Sequence, residues 1–369
     1  MPFRVDTVRF RYFAVIVLSH LVVHMHKSNP VRPSRPATMR DVAKLAGVSQ
    51  PTVSRVLNQT NTDISISEET ISRVMAAVKE LEYRPNVLAR SLRTQKTKMI
   101  ALMLADITNP FYHPIARAVH NVARECDYEM LIADTDHLYE NEIEFCEAVT
   151  RRPVDGVIMV PIHLTYADLD SFTSRTNTPV VALGQHVQHP HIDVVQVDDE
   201  RAVYDITRWL IQEKGHTRFG YVGVPDYMPP GPRRFRGFTM AIHEAHLTLE
   251  SRFVVVGDFT LDGGKRAAAE LLERGDIPSA LVVANDLMAI GVILRLQEAG
   301  LRVPEDVAVV GFDDIPEARI VRPTLTTIIH DASDIGYKLA KLLFERIEDP
   351  GLPQRRITST WGIAVRDST

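Results

Sequence analysis

Cysteine is scarce in this chain. Its 369 residues include only Cys126 and Cys146, and the sequence contains no Cys-x-x-Cys pair. Zinc fingers and disulfide-stapled domains need several cysteines at short spacings, so the sequence excludes both classes. We expect both thiols to be buried, in a protein that works in a reducing cytoplasm.

The sequence also lacks the short motifs of the common enzyme classes. It contains no G-x-S-x-G, P-loop, H-E-x-x-H or G-x-G-x-x-G motif. The glycine-rich stretch 257–264 lacks the spacing that cradles a phosphate. His186, His189 and His191 could bind a metal weakly, but their polar segment is more typical of a surface loop. We therefore expect no enzyme, no cofactor and no metal site.

Apolar runs long enough to cross a membrane are missing as well. The apolar run 12–23 has twelve residues, whereas a spanning helix needs about 20. Arginines precede the run, as in a signal peptide, but no A-x-A-like cleavage site follows. We interpret residues 1–37 as a disordered or misassigned N-terminal extension, with Met25 and Met39 as alternative starts.

Negative charge is scarce only in the N-terminal part. Residues 1–98 contain 16 Lys/Arg and 7 Asp/Glu, whereas residues 99–369 contain 26 and 40. A basic part on an acidic body indicates a polyanionic partner at one end of the chain. The length indicates two or three domains, and 45% apolar residues are enough for sizeable cores.

The stretch 38–58 predicts two short helices around a glycine turn. Thr38 and Asp41 form a capping-box-like start for the first helix, and Gly47 is typical of the residue that follows a helix end. Ser49 can cap the second helix. This arrangement is the helix-turn-helix plan.

A third helix is predicted after Ser67, and apolar faces on the three helices should close a small core. These faces are Val42, Leu45 and Ala46; Val53, Val56 and Leu57; and Ile71, Val74, Val78 and Leu81. The second helix leaves polar side chains outside, namely Gln50, Thr52, Ser54, Arg55 and Asn58. Arginine can bind a guanine edge and glutamine an adenine edge, while serine, threonine and asparagine more often hold phosphates. The segment therefore predicts DNA binding.

This segment resembles the headpiece of the lactose/galactose repressor (LacI/GalR) family. The matching sequences are DVAKLAGVSQPTVSRVLN and YRPNVLARSL, and the resemblance continues through about residues 38–366. It implies a helix-turn-helix DNA-binding domain (38–83), a hinge helix with its linker (84–97), and a core similar to periplasmic sugar-binding proteins.

The resemblance also assigns the residues that would read DNA bases. Gln50, Pro51 and Arg55 occupy its base-reading positions. Pro51 departs from relatives that carry a hydrogen-bonding side chain there, and it can offer only an apolar contact, such as one to a thymine methyl group. The operator sequence therefore cannot be carried over from a relative.

The hinge is expected to order only when two subunits meet on DNA, because so short a helix is unstable alone in water. Leu92 matches the family's leucine wedge, which enters a base step from the minor groove and kinks the duplex. Ala89 matches the small residue that lets the hinge approach the groove, and Asn86 belongs to the same contact set. The alternative for Leu92 is an ordinary apolar linker residue.

From residue 98 onward, apolar runs alternate with amphipathic stretches. Met99–Leu104 predicts a buried parallel strand, and strand and helix patterns then alternate as far as residue 310. We predict two doubly wound parallel-sheet lobes in an effector-binding and dimerisation core, residues 98–369. The family's three crossovers, placed near Val197, Ile328 and Arg355, give lobe 1 as about 98–197 plus 329–355 and lobe 2 as about 198–328 plus 356–369.

Ligands of such folds bind in the cleft outside the carboxyl ends of the strands. Carboxylates, amides and arginine can hold sugar hydroxyls, while an aromatic ring stacks on the apolar face of the sugar. The resemblance assigns the strongest effector contacts to Arg234, Asn285 and Asp313, and the stacking ring to Phe259. The candidate effector site is completed by Asp106, Phe111 and Tyr112.

Some of these residues are open to two interpretations. Asp106 either binds a hydroxyl or only shapes its turn, and Phe111 is either a cleft wall or part of the core. For Asp286 and Asp314 we expect a capping role for the segments that follow them.

Together these features predict a ligand-responsive, sequence-specific transcription regulator, most simply a repressor. It would act as a cytoplasmic homodimer on a pseudo-palindromic double-stranded operator, with a sugar or sugar derivative as effector and no membrane partner. A transport solute-binding protein would explain the body but not residues 38–92. A sugar-modifying enzyme would need a nucleophile or an acid/base constellation that we do not find.

Overall fold

The computed structural model describes residues 37–58, 66–83 and 96–369. They belong to two compact units that divide after Asn86, a small N-terminal headpiece and a large body. The N-terminal extension and the hinge residues Asn86, Ala89 and Leu92 lie outside the described residues, as does the side chain of Asn58.

The headpiece consists of three helices, α1 (Met39–Ala46), α2 (Gln50–Asn58) and α3 (Glu68–Glu80). The predicted capping box is confirmed, because the Asp41 carboxylate accepts from the Thr38 N–H at 2.9 Å while the Asp41 N–H donates to the Thr38 hydroxyl. Gly47 ends α1 at a φ of 64°, a left-handed conformation that glycine adopts without a steric cost.

Two residues of the predicted headpiece core lie outside the observed one. Its buried residues are Val42, Ala43, Ala46, Val53, Val74, Ala77 and Tyr83. Leu45 and Ile71 were expected inside but are 47% and 40% exposed. Alanines on α1 and α3 form the buried contact, so the larger Leu45 and Ile71 side chains fall at its edge.

Lobe 1 of the body is built on a six-stranded parallel sheet. Its strands are β1 (Met99–Leu104), β2 (Glu129–Asp134), β3 (Gly156–Met159), β4 (Val180–Leu183), β5 (Ile192–Val197) and β11 (Arg356–Ser359), in the order β11-β5-β4-β3-β1-β2. Its helices are α4 (Tyr112–Glu125), α5 (Tyr139–Arg151), α6 (Tyr166–Thr176) and α11 (Ala332–Glu348). The apolar strands β1, β3 and β4 are buried, as their continuous hydrophobic runs predicted.

Lobe 2 repeats this plan with one antiparallel edge strand. Its strands are β6 (Phe219–Gly223), β7 (Val254–Val256), β8 (Ala280–Val283), β9 (Ala308–Asp313), β10 (Thr326–His330) and β12 (Trp361–Ala364), in the order β12-β10-β9-β8-β6-β7. Only β12 among them runs antiparallel to its neighbour, β10. Its helices are α7 (Asp199–Gln212), α8 (Pro230–Glu244), α9 (Leu261–Glu273) and α10 (Asp286–Glu298). The predicted pair of doubly wound lobes is confirmed.

The chain passes between the lobes three times, at Asp198, Asp331 and Thr360. The first passage lies where the sequence placed it, but the second lies at Asp331 and not at Ile328, because β10 stays in the lobe 2 sheet as far as His330. The third lies at Thr360 and not at Arg355. The reason is strand pairing, since Arg356 lies beside Val194 and Ser359 beside Val197 in the lobe 1 sheet. Residues 356–359 therefore belong to lobe 1.

The two cysteines differ in their surroundings. Cys146 is buried on α5, and burial raises the pKa of its thiol to about 12. Cys126 directly follows α4 at the surface and is exposed, so the prediction that it is buried was wrong.

Within residues 37–58, 66–83 and 96–369, no helix combines the length and the apolar composition needed to cross a bilayer.

A buried ion cluster holds the late segments of the chain in lobe 1. The Asp193 carboxylate on β5 is fully buried and accepts from Arg346 of α11 at 2.7 and 3.0 Å. It also accepts from the side chain of Arg355 at 2.7 Å and from its backbone N–H at 2.8 Å. Burial alone would raise the pKa of Asp193, but the hydrogen bonds from the two arginines outweigh it and hold the pKa below its ordinary value.

Asp193→Asn should destabilise the body by about 3–5 kcal/mol, because the buried Arg346 guanidinium would lose its counter-charge. The matched control is Glu147→Gln, which breaks an exposed pair with Arg151 and should cost less than about 1 kcal/mol. Denaturant unfolding at pH 7 measures both. Since the folded pKa of Asp193 is lowered, its contribution should be complete above about pH 5 and fade as the pH falls through that lowered pKa. Equal losses in the two variants would contradict the role given to the cluster.

Candidate functional site

The outer face of α2 is the first candidate site. Val53 is buried in the headpiece core, while Gln50 and Pro51 are exposed and Thr52, Ser54 and Arg55 are partly exposed. Helical periodicity thus places the predicted DNA-contacting residues on the side of α2 that the core leaves open. The Thr52 hydroxyl lies 2.9 Å from the Ser49 hydroxyl, and its backbone N–H donates to Ser49, so Thr52 also helps to cap α2.

The second candidate site is the cleft between the two lobes of the body. The space between the lobes, with the open solvent at its mouth, amounts to about 740 Å³. Loops after the strands of lobe 1 and the starts of the helices in lobe 2 line it. Of the predicted effector residues, Phe111, Tyr112, Arg234, Phe259 and Asp313 line this cleft together.

An ion-paired arginine forms the floor of the cleft. Arg234 on α8 is buried and donates to Asp199 at 3.1 and 3.2 Å and to the Ala284 carbonyl. Its guanidinium carbon lies 3.5 Å from the centre of the Phe312 ring, a favourable cation–π distance. These contacts leave Arg234 a single orientation.

Asp199 has a second partner, because Arg233 donates to its other oxygen at 2.8 and 3.2 Å. Burial would raise the pKa of Asp199, but the charges of Arg234 and Arg233 hold that pKa below its ordinary value. One carboxylate thus binds two guanidinium groups.

Asp313 and Phe259 enter the cleft on strained backbone. Their φ angles are 119° and 67°, values that residues with a side chain rarely adopt. The Asp313 carboxyl makes no side-chain hydrogen bond to any residue that the structure describes. Burial raises its pKa well above the ordinary value, against the opposing charge of Arg234. Asp313 therefore has free capacity for a ligand hydroxyl.

Two predicted effector residues lie behind the cleft lining and support it. Asn285 accepts from the Met288 N–H at 3.0 Å, which caps α10, and donates to the Phe259 carbonyl at 2.9 Å. Asp106 accepts from the N–H and the hydroxyl of Thr108 at 2.7 and 2.6 Å, so it shapes the turn after β1.

The expectation that Asp286 and Asp314 are caps was wrong. Asp286 accepts from the Thr327 hydroxyl at 2.5 Å and the Ile315 N–H at 3.0 Å, and burial raises its pKa to about 7. Asp314 pairs with Arg319 at 2.7 Å and with Arg366. Asn285 occupies the capping position that the sequence assigned to its neighbour Asp286.

The sequence did not predict several side chains of the cleft, including His137, Gln185, His186, Asp199 and Arg233. The surface-loop interpretation of the histidine segment was wrong for His186, which lines the cleft, and for His189, which is buried beside Asp170. Their position in the sequence was the available signal, because Gln185 and His186 lie two and three residues after the end of β4.

Metal ligation finds no support in the described ranges. Within residues 37–58, 66–83 and 96–369, no group of three His, Cys, Asp or Glu side chains could hold a metal ion.

Two family models match the chain. Residues 38–86 match the model "Bacterial regulatory proteins, lacI family", and residues 210–369 match the model "Periplasmic binding protein-like domain". The matches fall on the headpiece and on the body, respectively.

Curated relatives match over most of their length. The ribose operon repressor of Escherichia coli strain K12 is 34% identical over 324 residues, which cover 88% of this chain and 97% of the relative. The HTH-type transcriptional repressor PurR of Pasteurella multocida strain Pm70 is 33% identical over 313 residues, which cover 85% of this chain and 92% of the relative.

Solved structures agree with these matches. The transcriptional regulator CelR in complex with cellobiose has 30% identity and a TM-score of 0.67, covering 90% of this chain and all of its own. The Lac repressor bound to ONPG in the repressed state has 25% identity and a TM-score of 0.80, covering 91% and 100%. With its headpiece, its two-lobed body and these relatives, the chain belongs to the lacI family of bacterial regulatory proteins and is a ligand-responsive, DNA-binding transcription regulator.

Proposed function

We propose that the protein is a repressor whose affinity for its operator is set by a sugar or sugar derivative in the cleft of the body. This proposal rests on the kinds of side chain that line the cleft. A fixed guanidinium (Arg234), an unpartnered carboxyl (Asp313) and an aromatic ring (Phe259) face one cavity. Hydroxyl groups bind to such polar atoms while an aromatic ring covers the apolar face of a sugar. The cellobiose-bound and ribose operon relatives support this ligand class.

On DNA, α2 is the proposed reading helix. Gln50, Pro51 and Arg55 would face base edges in the major groove, while Thr52, Ser54 and Asn58 would hold phosphates. Pro51 can contribute only an apolar contact. The structure supports this proposal by leaving this side of α2 outside the headpiece core.

The active form is proposed to be a homodimer on a pseudo-palindromic operator, since two α2 helices related by a two-fold axis match two half-sites. Asn86, Ala89 and Leu92 would bring the two hinges into the central minor groove. Such a regulator works where the DNA is, so we place it in the cytoplasm and assign it no catalysis, no cofactor and no membrane partner.

Arg55→Ala should weaken binding to the operator by roughly tenfold to a hundredfold, the effect of losing one good base contact. It should also relax the sequence preference at one base pair of each half-site. The operator is first selected from random duplexes with the wild type, and affinity is then titrated by fluorescence anisotropy at fixed salt. The control is Arg73→Ala on α3, whose guanidinium contacts Thr70 and which should bind as the wild type does. An unchanged affinity for Arg55→Ala would refute the assignment of α2.

Leu92→Ala should weaken operator binding more than nonspecific binding, because only a specific complex contains the kink that the leucine wedge stabilises. The same titration on operator and on scrambled duplexes measures both affinities at one salt concentration. The scrambled duplex is the internal control. Equal losses on the two duplexes would rule out a wedge.

A thermal-shift screen with mono- and disaccharides should find ligands that raise the melting temperature of the body, because a ligand that binds only the folded state stabilises it. Asp313→Asn should abolish most of that shift while keeping the fold, since the Asp313 carboxyl makes no side-chain hydrogen bond to the residues that the structure describes. The same ligands should change operator affinity in the wild type. A sugar that stabilises wild type and Asp313→Asn equally would argue against this site.

A further inference from the structure

The arginine pair in the cleft carries one positive charge more than its carboxylate can balance. Arg233 and Arg234 both donate to Asp199, one to each oxygen. All three side chains are largely buried, at 13%, 9% and 7% exposure. A buried charge without a counter-charge is costly, so this end of the cleft favours a further negative group.

Asp313 does not supply that group. Burial opposes its ionisation, and the charge that acts on it most strongly is that of Arg234. The charge of Arg233 acts instead on His186, on the lobe 1 side of the cleft. The charges of the two arginines therefore act on groups in different parts of the cavity.

Arg233 retains a donor for a ligand. Its Nε and Nη2 donate to Asp199, and its Nη1 donates to none of the residues that the structure describes. Arg234 keeps fewer free N–H groups, because its third nitrogen also donates, to the Ala284 carbonyl. Arg233 lines the cleft, so its Nη1 is a charged donor within reach of a ligand.

His186 and Gln185 complete this end of the cleft. Among the described residues, neither ring nitrogen of His186 nor Oε1 of Gln185 has a hydrogen-bond partner, although all three atoms are buried. Burial first and the Arg233 charge second lower the pKa of His186 to about 4, so the ring is neutral near pH 7 and offers one N–H.

Gly184 makes room for this imidazole. Its φ is 145°, and a Cβ at this position would lie only 2.6 Å from Cε1 of His186. Any other residue would displace the ring. The local sequence Gly-Gln-His thus sets the ring against the cleft.

We propose that Arg233, His186 and Gln185 form a subsite for an anionic substituent of the effector, a carboxylate or a phosphate ester. The proposal rests on the proposed function and narrows its ligand class to an acidic sugar. The guanidinium supplies the charge and the imidazole N–H supplies a neutral donor, while the Gln185 Oε1 accepts from a hydroxyl beside the anionic group. The sugar ring itself would lie against Phe259 and Asp313.

The test compares acidic sugars with their neutral parents. Glucuronate, galacturonate and glucose 6-phosphate are titrated beside glucose and galactose by calorimetry at constant ionic strength. At least one acidic sugar should bind the wild type roughly tenfold or more tightly than its parent, the effect of one charge-assisted contact. Preferred binding of a uronate would identify the anionic group as a carboxylate, and preferred binding of glucose 6-phosphate would identify it as a phosphate ester.

Arg233→Gln should erase this preference. The variant should fold, because Asp199 keeps its pair with Arg234. The matched control is Arg236→Gln on the same helix, whose guanidinium is 56% exposed and pairs with Glu200, and it should keep the preference. A bound anion should also raise the pKa of His186 above about 4 in an NMR titration of its ring protons.

If no sugar of the panel binds, acetate and inorganic phosphate serve as probes. Each should raise the melting temperature of the wild type and of Arg236→Gln, but not of Arg233→Gln, at matched ionic strength. Equal responses of the two variants, or a neutral parent that binds as tightly as its acid, overturn the subsite. If a neutral sugar binds as tightly as its acid and changes operator affinity, the proposed function stands and only the anionic subsite is refuted.

Discussion

The cleft depends on the carboxylate of Asp199. Asp199 is the first residue of α7, just after the chain first enters lobe 2. Its carboxylate accepts hydrogen bonds from both Arg233 and Arg234. Because its two oxygens are divided between the two arginines, each guanidinium is held in one place. Arg234 then lies over Phe312 and reaches the end of β8 at Ala284. A single buried carboxylate therefore fixes four elements of lobe 2 around the ligand cavity.

The same group lies beside the points where the lobes exchange strands. Asp199 follows the first passage, and His330, the last residue of β10, precedes the second. The His330 ring packs 4.6 Å from that of Phe312, and Trp361 pairs with His330 just after the third passage. A ligand that engages Arg234 thus acts next to all three connections between the lobes. In the function proposed above, this proximity would let a bound ligand bias the arrangement of the lobes and, by linkage, the affinity for DNA.

Much of the fold could be predicted from local sequence. β1 has the bounds that its apolar run indicated, because buried parallel strands are continuous hydrophobic segments. The cap of α1 followed from Thr38 and Asp41 in the same way. By contrast, Leu45 and Ile71 were misplaced, since helical periodicity gives a face but not the size of the residues at the contact. The place of β11 was also missed, because its pairing with β5 joins residues far apart in sequence.

The sequence by itself determined the helix α2, the two-lobed body and the position of Arg234, Phe259 and Asp313 at the cleft. Capping residues, hydrophobic periodicity and the family resemblance predict these features, and all three are patterns of local sequence. Only the tertiary structure decided what surrounds them: that Asp199 binds two arginines, that Asn285 and Asp106 support the cleft from behind, and that His186 turns inward over Gly184. Charge balance and burial arise from residues brought together by folding, so no single stretch of the chain contains them.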